Sequence, residues 1–255
     1  MPIAFVNNSR RTHDSLMLIL YHLLSAIVAL IVFCSYSAFA QQGSADEHYV
    51  YSSSAVQAVN VNLSIGPSLT MLPQPLTEYP TPAPMLDLRW RVTTPYNLNL
   101  YGRFGSNIAT SIVKAGGLLA TDIGTFSVGV GYSAAYVYGN ITFIDGFNTS
   151  QQRWINYPTV NLTAMLDKLT LTARGELEMI MAIDQRIEDQ EVRTSVDKIS
   201  GGSLTIVAEQ PFWNTTHVLL GVSLSYSSNP YQAWFIYNTF NERLFSSELF
   251  LGFIL

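Results

Sequence analysis

The chain has 255 residues, of which 48% are hydrophobic and only 12% charged, and its formal net charge is −5. That charge content is about half of what a soluble domain carries, 13 Lys+Arg offer no basic field for phosphate, and 14 Tyr with 13 Phe are too many aromatics for a disordered chain. A nucleic-acid partner and disorder are excluded; a membrane protein or an unusually apolar secreted one remains.

Residues 1–40 read as an export signal. Arg10 and Arg11 precede an apolar stretch from Leu16 to Phe33, and Ala38-Phe39-Ala40 before Gln41 supplies a small-x-small cleavage site. The expectation is general secretion with cleavage after Ala40, the alternative being an uncleaved anchor. Cys34, the one cysteine, leaves with the signal, so no disulfide, thiol nucleophile or thiolate metal site is expected in the mature chain. Its charge, with Arg10, Arg11 and Asp14 removed, is 11 basic against 17 acidic residues, or −6. Residues 41–54 read as a polar periplasmic tail.

After Gln41 there is no apolar run of about 18 residues, so a second membrane helix is not expected. Instead the chain alternates with a period of two, as in Val59-Asn60-Val61-Asn62-Leu63-Ser64-Ile65, Leu86-Asp87-Leu88-Arg89-Trp90-Arg91-Val92, Leu169 to Met179 and Val218 to Tyr226. Such a strand turns one face to an apolar medium and the other to water, and a helix could not keep those residues together. Turn signals at Thr94-Pro95, Asp122-Ile123-Gly124, Asp167-Lys168, Ser200-Gly201-Gly202 and Ser228-Asn229-Pro230 alternate with longer connections at Pro67 to Pro84, Asn140 to Asn156, Asp184 to Glu191, Pro211 to Thr216 and Thr239 to Phe245. This places twelve strands at 55–66, 84–93, 97–106, 110–120, 125–138, 157–166, 169–182, 190–198, 202–210, 217–226, 231–239 and 246–255. Losing the charge-interrupted 190–198 together with a neighbour would leave ten. The short turns and both termini then share one side.

Short turns alternating with longer loops, an even strand count and the alternating last strand, with Leu249, Leu251, Phe253 and Leu255 on one parity, resemble bacterial outer-membrane β-barrel proteins. The resemblance is to the class and covers Ala55 to Leu255; the chain closes on Leu where the class usually closes on Phe. It implies an all-β, closed antiparallel transmembrane barrel at 55–255, located in the bacterial outer membrane. Its partners would be outer-membrane lipid, periplasmic chaperones and the barrel-insertion machinery that reads the last strand. The competing fold is a secreted β-sandwich with its apolar faces inward.

In such a barrel the polar parity faces the lumen, presenting Arg89, Arg91, Arg103, Arg174 and Arg193 against Asp87, Glu176, Glu178, Asp197, Glu209 and Glu248. A hairpin at Thr94-Pro95 is expected to set Asp87 opposite Arg103; one at Asp167-Lys168, to set Thr163 opposite Thr172 and Asn161 opposite Arg174. Balanced charges either line a hydrated pore or pair and fill it. The expected function is a passive pore for small polar solutes; the alternatives are a non-conducting structural or adhesive barrel acting through its outer loops, and a hydrolase at the outer rim around His217 with Glu209, Asp184 and Asp189.

Enzymatic activity is not expected, because His48 and His217 are the only mature histidines and no phosphate loop, zinc spacing or nucleophile elbow occurs; nor is a cofactor or a metal, Asp184, Glu188, Asp189 and Glu191 reading as a solvated acidic loop. The prolines between Pro67 and Pro84 are expected to hold a stiff, helix-free loop. Trp90, Tyr96, Tyr138, Trp154, Tyr157, Tyr226 and Trp234 are expected as interfacial girdles.

Overall fold

A computed structural model describes residues 48–54, 59–77, 79, 81–94, 96–144, 147–187, 190–192, 198–212, 216–235 and 242–255. Residues 1–40, expected as an export signal, residues 41–47, Arg193 and Asp197 lie outside the described residues. The strands are β1 (Asn60–Met71), β2 (Pro82–Thr93), β3 (Leu98–Ser106), β4 (Thr110–Ile123), β5 (Phe126–Ile144), β6 (Phe147–Leu166), β7 (Leu169–Ile187), β8 (Gln190–Val192), β9 (Ile199–Phe212), β10 (Thr216–Ser227) and β11 (Leu244–Ile254). Ten of them form a closed antiparallel meander, since β11 returns to pair with β1 and β7 pairs with both β6 and β9. The three-residue β8 pairs with β7 alone and stands outside the ring.

The alternation of residue types sets the two faces of this ring. Along β1, Val61, Ile65 and Leu69 are exposed, while Asn62, Ser64, Ser68 and Thr70 are buried. On β6, Val160 is 56% exposed and its neighbour Asn161 is 0% exposed. Polar groups inside and aliphatic groups outside invert the arrangement of a soluble sandwich, which would bury the apolar parity. An even number of closed antiparallel strands with an apolar outer surface is the architecture of a transmembrane β-barrel. Among the described residues no helix is long and apolar enough to cross a membrane.

Local chemistry fixes the register. Gly124 (φ +64°) and Asp167 (φ +47°) take left-handed conformations in two-residue turns, which match the right-handed twist of the flanking strands. The Asp167-Lys168 turn sets Thr163 opposite Thr172 and Asn161 opposite Arg174, as expected. At Thr94-Pro95 the connection includes Asn97 (φ +58°) as well, so the pairing lies two residues from the expected one. Asp87 faces Gly105, and Arg89 faces Arg103. Parity is unchanged, and Arg103 still reaches Asp87 along the diagonal.

The ring has ten strands, the smaller of the two expected counts, and both lost strands have a local cause. Of the segment 190–198, Gln190–Val192 extends the outer end of β7. Of the segment 231–239, Tyr231–Ala233 forms a 3-10 turn whose Gln232 and Ala233 are buried. Ser200-Gly201-Gly202 belongs to β9, where Gly201 lies directly against the Tyr226 and Ser227 backbone; β9 ends at Phe212 and β10 begins at Thr216, so the chain reverses between these two strands instead. These two shifts reverse the directions expected for residues 202–226 and leave β11 running as expected.

Two segments expected as loops are largely strand. Pro67, Pro82 and Pro84 sit within β1 and β2, so the outer connection shrinks to 72–81. It contains one helical turn, Gln74–Thr77, because Pro75 is tolerated in a first helical turn. Residues 140–156 are mostly the hairpin of β5 and β6. Strands β5, β6 and β7 have 19, 20 and 19 residues where about 9–11 suffice to cross a bilayer, so their upper halves stand beyond the hydrocarbon on the side opposite the chain termini.

Candidate functional site

The lumen is the one place where side chains of all ten ring strands converge, and it is occupied. Residues 48–54 do not form an outlying tail: Tyr49, Val50, Tyr51, Ser52, Ser53 and Ser54 are all buried. They enter the barrel from the end that carries the short turns. A buried segment without a strand neighbour must still satisfy its backbone, and here inward side chains supply the partners. Glu209 Oε1 accepts from Val50 N at 2.7 Å, and Glu209 Oε2 accepts from Tyr51 N at 3.1 Å. Asn62 Nδ2 and Arg91 Nη1 donate to Tyr49 O at 2.9 and 3.1 Å, and Asn161 Nδ2 donates to Tyr51 O at 3.0 Å. Ser127 Oγ donates to Ser53 O at 2.6 Å, Ser53 N to Thr163 Oγ1 at 3.1 Å, and Arg91 Nη2 to Ser54 O at 3.1 Å.

Tyr51 anchors this segment through its ring. It stacks on Phe250 with centroids 5.8 Å apart. The Arg174 guanidinium lies 4.7 Å from its centroid and 4.5 Å from that of Tyr101, and Arg89 covers the Phe250 ring at 3.8 Å. Arg89, Phe250, Tyr51, Arg174 and Tyr101 thus form one stack across the lumen, an arrangement favoured by the negative face of each ring. Gly221 leaves room for it, because a Cβ there would collide with the Phe250 ring.

Beyond the stack the charges pair. Asp87 binds Arg89 at 2.7 Å and Arg103 at 2.8 Å, and Glu248 binds Arg103 at 2.6 Å and Arg89 at 3.4 Å. Lys114 binds Glu176 at 2.6 Å and lies 4.0 Å from the Tyr157 ring centroid. Glu178 accepts from Ser227 Oγ at 3.2 Å. Desolvation costs a lone buried charge heavily, so these groups are tenable inside only as compensated clusters.

The outer half of the lumen is roofed by residues 228–235. Arg153 Nη1 donates to Asn229 O at 2.5 Å, Tyr231 Oη donates to Glu248 Oε2 at 3.0 Å, and Gln232 Nε2 donates to Thr70 Oγ1 at 2.8 Å. Burial pushes the Tyr231 phenol above the ordinary tyrosine range, which keeps it a donor to that carboxylate. Trp234 is buried, donates from Nε1 to Thr110 Oγ1 at 2.8 Å, and packs against Gly139. A chamber of about 120 Å³ remains between the Val50–Tyr51 floor and the Pro230–Gln232 roof.

Asp87, Arg89, Arg91, Arg103, Arg174, Glu176, Glu178, Glu209 and Glu248 all turn into the barrel on the strands expected to carry them. Other contributors were not anticipated, among them the roof residues Tyr231 and Gln232. Lys114 shares the inward parity of Ile112 on β4, a signal present in the sequence. Arg153 is one residue in the inward series Gln151, Arg153, Ile155, Tyr157, hidden by the assignment of 140–156 to a loop. Tyr51 gave no signal short of the fold itself. Two of the expected girdle aromatics, Tyr157 and Trp234, are buried in the lumen, whereas Tyr96, Tyr138, Trp154 and Tyr226 are exposed. Leu251, Phe253 and Leu255 face outward on the last strand, as does the half-buried Leu249.

His217 lies at the end that carries the chain termini, not at the outer rim. Its ring is 4.8 Å from that of His48 and 6.0 Å from that of Tyr49. Glu209 near it is committed to the Val50 and Tyr51 amides, and Asp184 sits toward the outer end of β7, opposite Gln152. The rim constellation is therefore not assembled, and its third acid, Asp189, lies outside the described residues. Among the described residues no group of three or more His, Cys, Asp or Glu side chains is arranged to hold a metal ion.

No family model matches the chain, and no curated protein matches it in sequence. Among solved structures it is similar to CdiB from Acinetobacter baumannii, with 14% identity and a TM-score of 0.31, over 65% of this chain but only 31% of that one. It is similar to the outer membrane protease OmpT from Escherichia coli, with 8% identity and a TM-score of 0.40, over 80% of this chain and 98% of that one. It is also similar to the translocator domain of the autotransporter NalP from Neisseria meningitidis, with 10% identity and a TM-score of 0.39, over 78% and 89% of the two chains.

Proposed function

We propose that this chain is a bacterial outer-membrane β-barrel whose lumen is closed in its resting state, so that it works as a non-conducting barrel and not as a standing pore for small polar solutes. The observation that carries this reading is the hydrogen bonding of seven backbone groups of Tyr49–Ser54 by inward side chains of six strands, β1, β2, β5, β6, β9 and, through Asn99, β3. A segment that merely strayed into a water-filled channel would leave its peptide groups to water. The apolar outer surface suits lipid, and the outward Leu249, Leu251, Phe253 and Leu255 suit recognition by periplasmic chaperones and the insertion machinery after export and cleavage behind Ala40. No catalytic role is assigned to His217. The test is single-channel recording of the folded protein in planar bilayers. Silence is expected, and a steady discrete conductance from the unmodified protein would overturn the reading.

A further inference from the structure

We propose that His48 and His217 together bind one divalent transition-metal ion, of the zinc, nickel or copper kind, and that the ion pins the closing segment to the barrel wall. The chain has four histidines, and His13 and His22 fall within the segment expected to leave on export. The other two are far apart in sequence, yet their rings lie 4.8 Å apart, centroid to centroid. A buried side chain touches roughly 6–12 others, so in a chain of this length a given residue falls beside His217 by chance only about one time in twenty.

The ring geometry suits a shared ion. An imidazole lone pair lies in the plane of its ring, so two rings stacked in parallel share no point of their planes; these are tilted by 40°, and tilted planes intersect. With a metal–nitrogen bond of about 2.1 Å, each centroid stands about 3.2 Å from the ion, and the 4.8 Å separation then subtends about 97°, between octahedral and tetrahedral coordination. His217 is 8% exposed and held on β10, whereas His48 is exposed: one ligand is fixed by the wall, and the other leaves the ion a path from solvent. Glu209, on the neighbouring strand, is committed to the Val50 and Tyr51 amides. Among the described residues no third His, Cys, Asp or Glu joins the pair, so water completes the coordination. Nitrogen ligands select zinc, nickel and copper over calcium and magnesium, which take oxygen.

The two ligands belong to different parts of the molecule. His48 directly precedes the buried Tyr49–Ser54 segment, and His217 belongs to the wall. A site made by both exists only while the segment is seated, so metal binding adds to closure; the pinning rests on the closed-lumen reading.

The test uses the tag-free mature barrel in micelles, stripped with a chelator, and the metals alone. Copper(II) titration followed by EPR is expected to show one ion per barrel with two nitrogen ligands. His48→Ala, at an exposed position, is expected to leave one nitrogen and to weaken binding at least tenfold, and His217→Ala to do the same, with heat-modifiable migration verifying that both fold. Free zinc at 100 times its Kd is expected to slow chymotrypsin cleavage after Tyr49 and Tyr51 about 100-fold; calcium is expected to have no effect, and zinc none on His48→Ala. A metal-free parent that resists cleavage but binds neither ion overturns the proposal and leaves the closed lumen standing. A non-saturating or single-nitrogen copper signal, or zinc protection that survives His48→Ala, overturns it equally. Cleavage of the metal-free parent at the rate of the unfolded chain overturns the closed-lumen reading, and the proposal with it.

Discussion

Replacing Glu209 with Ala should release the segment that closes the inner half of the lumen. The carboxylate takes the Val50 and Tyr51 amides at 2.7 and 3.1 Å, and in the variant both donors stay buried with no acceptor. An unsatisfied buried donor costs about 1–3 kcal/mol, so two cost about 2–6. The variant also no longer buries a carboxylate, which costs several kcal/mol per ion before compensation, and this moves the net effect to about 2–4 kcal/mol. At 1.4 kcal/mol per decade the withdrawn population rises roughly 30- to 700-fold. Chymotrypsin reads this directly, because it cuts after Tyr49 and Tyr51, and cleavage of a transiently opened segment follows the open population when opening and closing are fast. Planar-bilayer recording should show brief openings in the same variant. Glu209→Gln keeps one carbonyl acceptor and should show about half the effect in free energy. Unchanged cleavage and continued silence in a Glu209→Ala protein that still folds would refute the reasoning.

Arg174→Ala removes two ring contacts, each worth about 0.5–2 kcal/mol, and should accelerate the same cleavage by about 5- to 700-fold at 1.4 kcal/mol per decade, while Arg174→Lys recovers part of the loss. Gly139→Val places a side chain where Trp234 packs; the expected result is release of the roof, seen as red-shifted tryptophan emission and faster proteolysis within 228–235. Val160→Arg puts a cation on the outer face of β6 and should destabilise the inserted barrel by about 2–4 kcal/mol, measured as a lower temperature for loss of heat-modifiable migration.

Much of the ring could be read from residue types, because a strand between lipid and lumen must alternate. The parity of Asp87, Arg89, Arg91, Arg174 and Glu248 followed from that requirement alone. It weakens outside the bilayer, where neither face meets hydrocarbon, and there the upper hairpin of β5 and β6 passed for a loop although Gln151, Arg153, Ile155 and Tyr157 keep a common face. Glycine misled in the opposite direction: Gly201 reads as a turn former, yet it serves a close approach to the β10 backbone at Tyr226 and Ser227. The closure of the lumen was illegible for a different reason. Barrel side chains hold residues 49–54 largely through backbone groups, beside the contacts of the Tyr51 ring and the Ser53 hydroxyl, so the sequence Tyr-Val-Tyr-Ser-Ser-Ser carries little sign of its destination. The roof shares this property at Asn229, whose carbonyl receives Arg153.

The central claim, that the segment before β1 lies inside the barrel, is tested most directly by a disulfide between Ser53→Cys and Thr163→Cys in a Cys34→Ser background. The Ser53 and Thr163 hydroxyl oxygens are 3.0 Å apart, and disulfide formation requires such proximity. The account predicts near-complete intramolecular cross-linking in the membrane-inserted protein on mild oxidation, and none when Ser53→Cys is paired with Thr110→Cys at the opposite end of the lumen. A Ser53→Cys thiol that stays reduced and reacts with a bulky maleimide as fast as in the unfolded chain would contradict it.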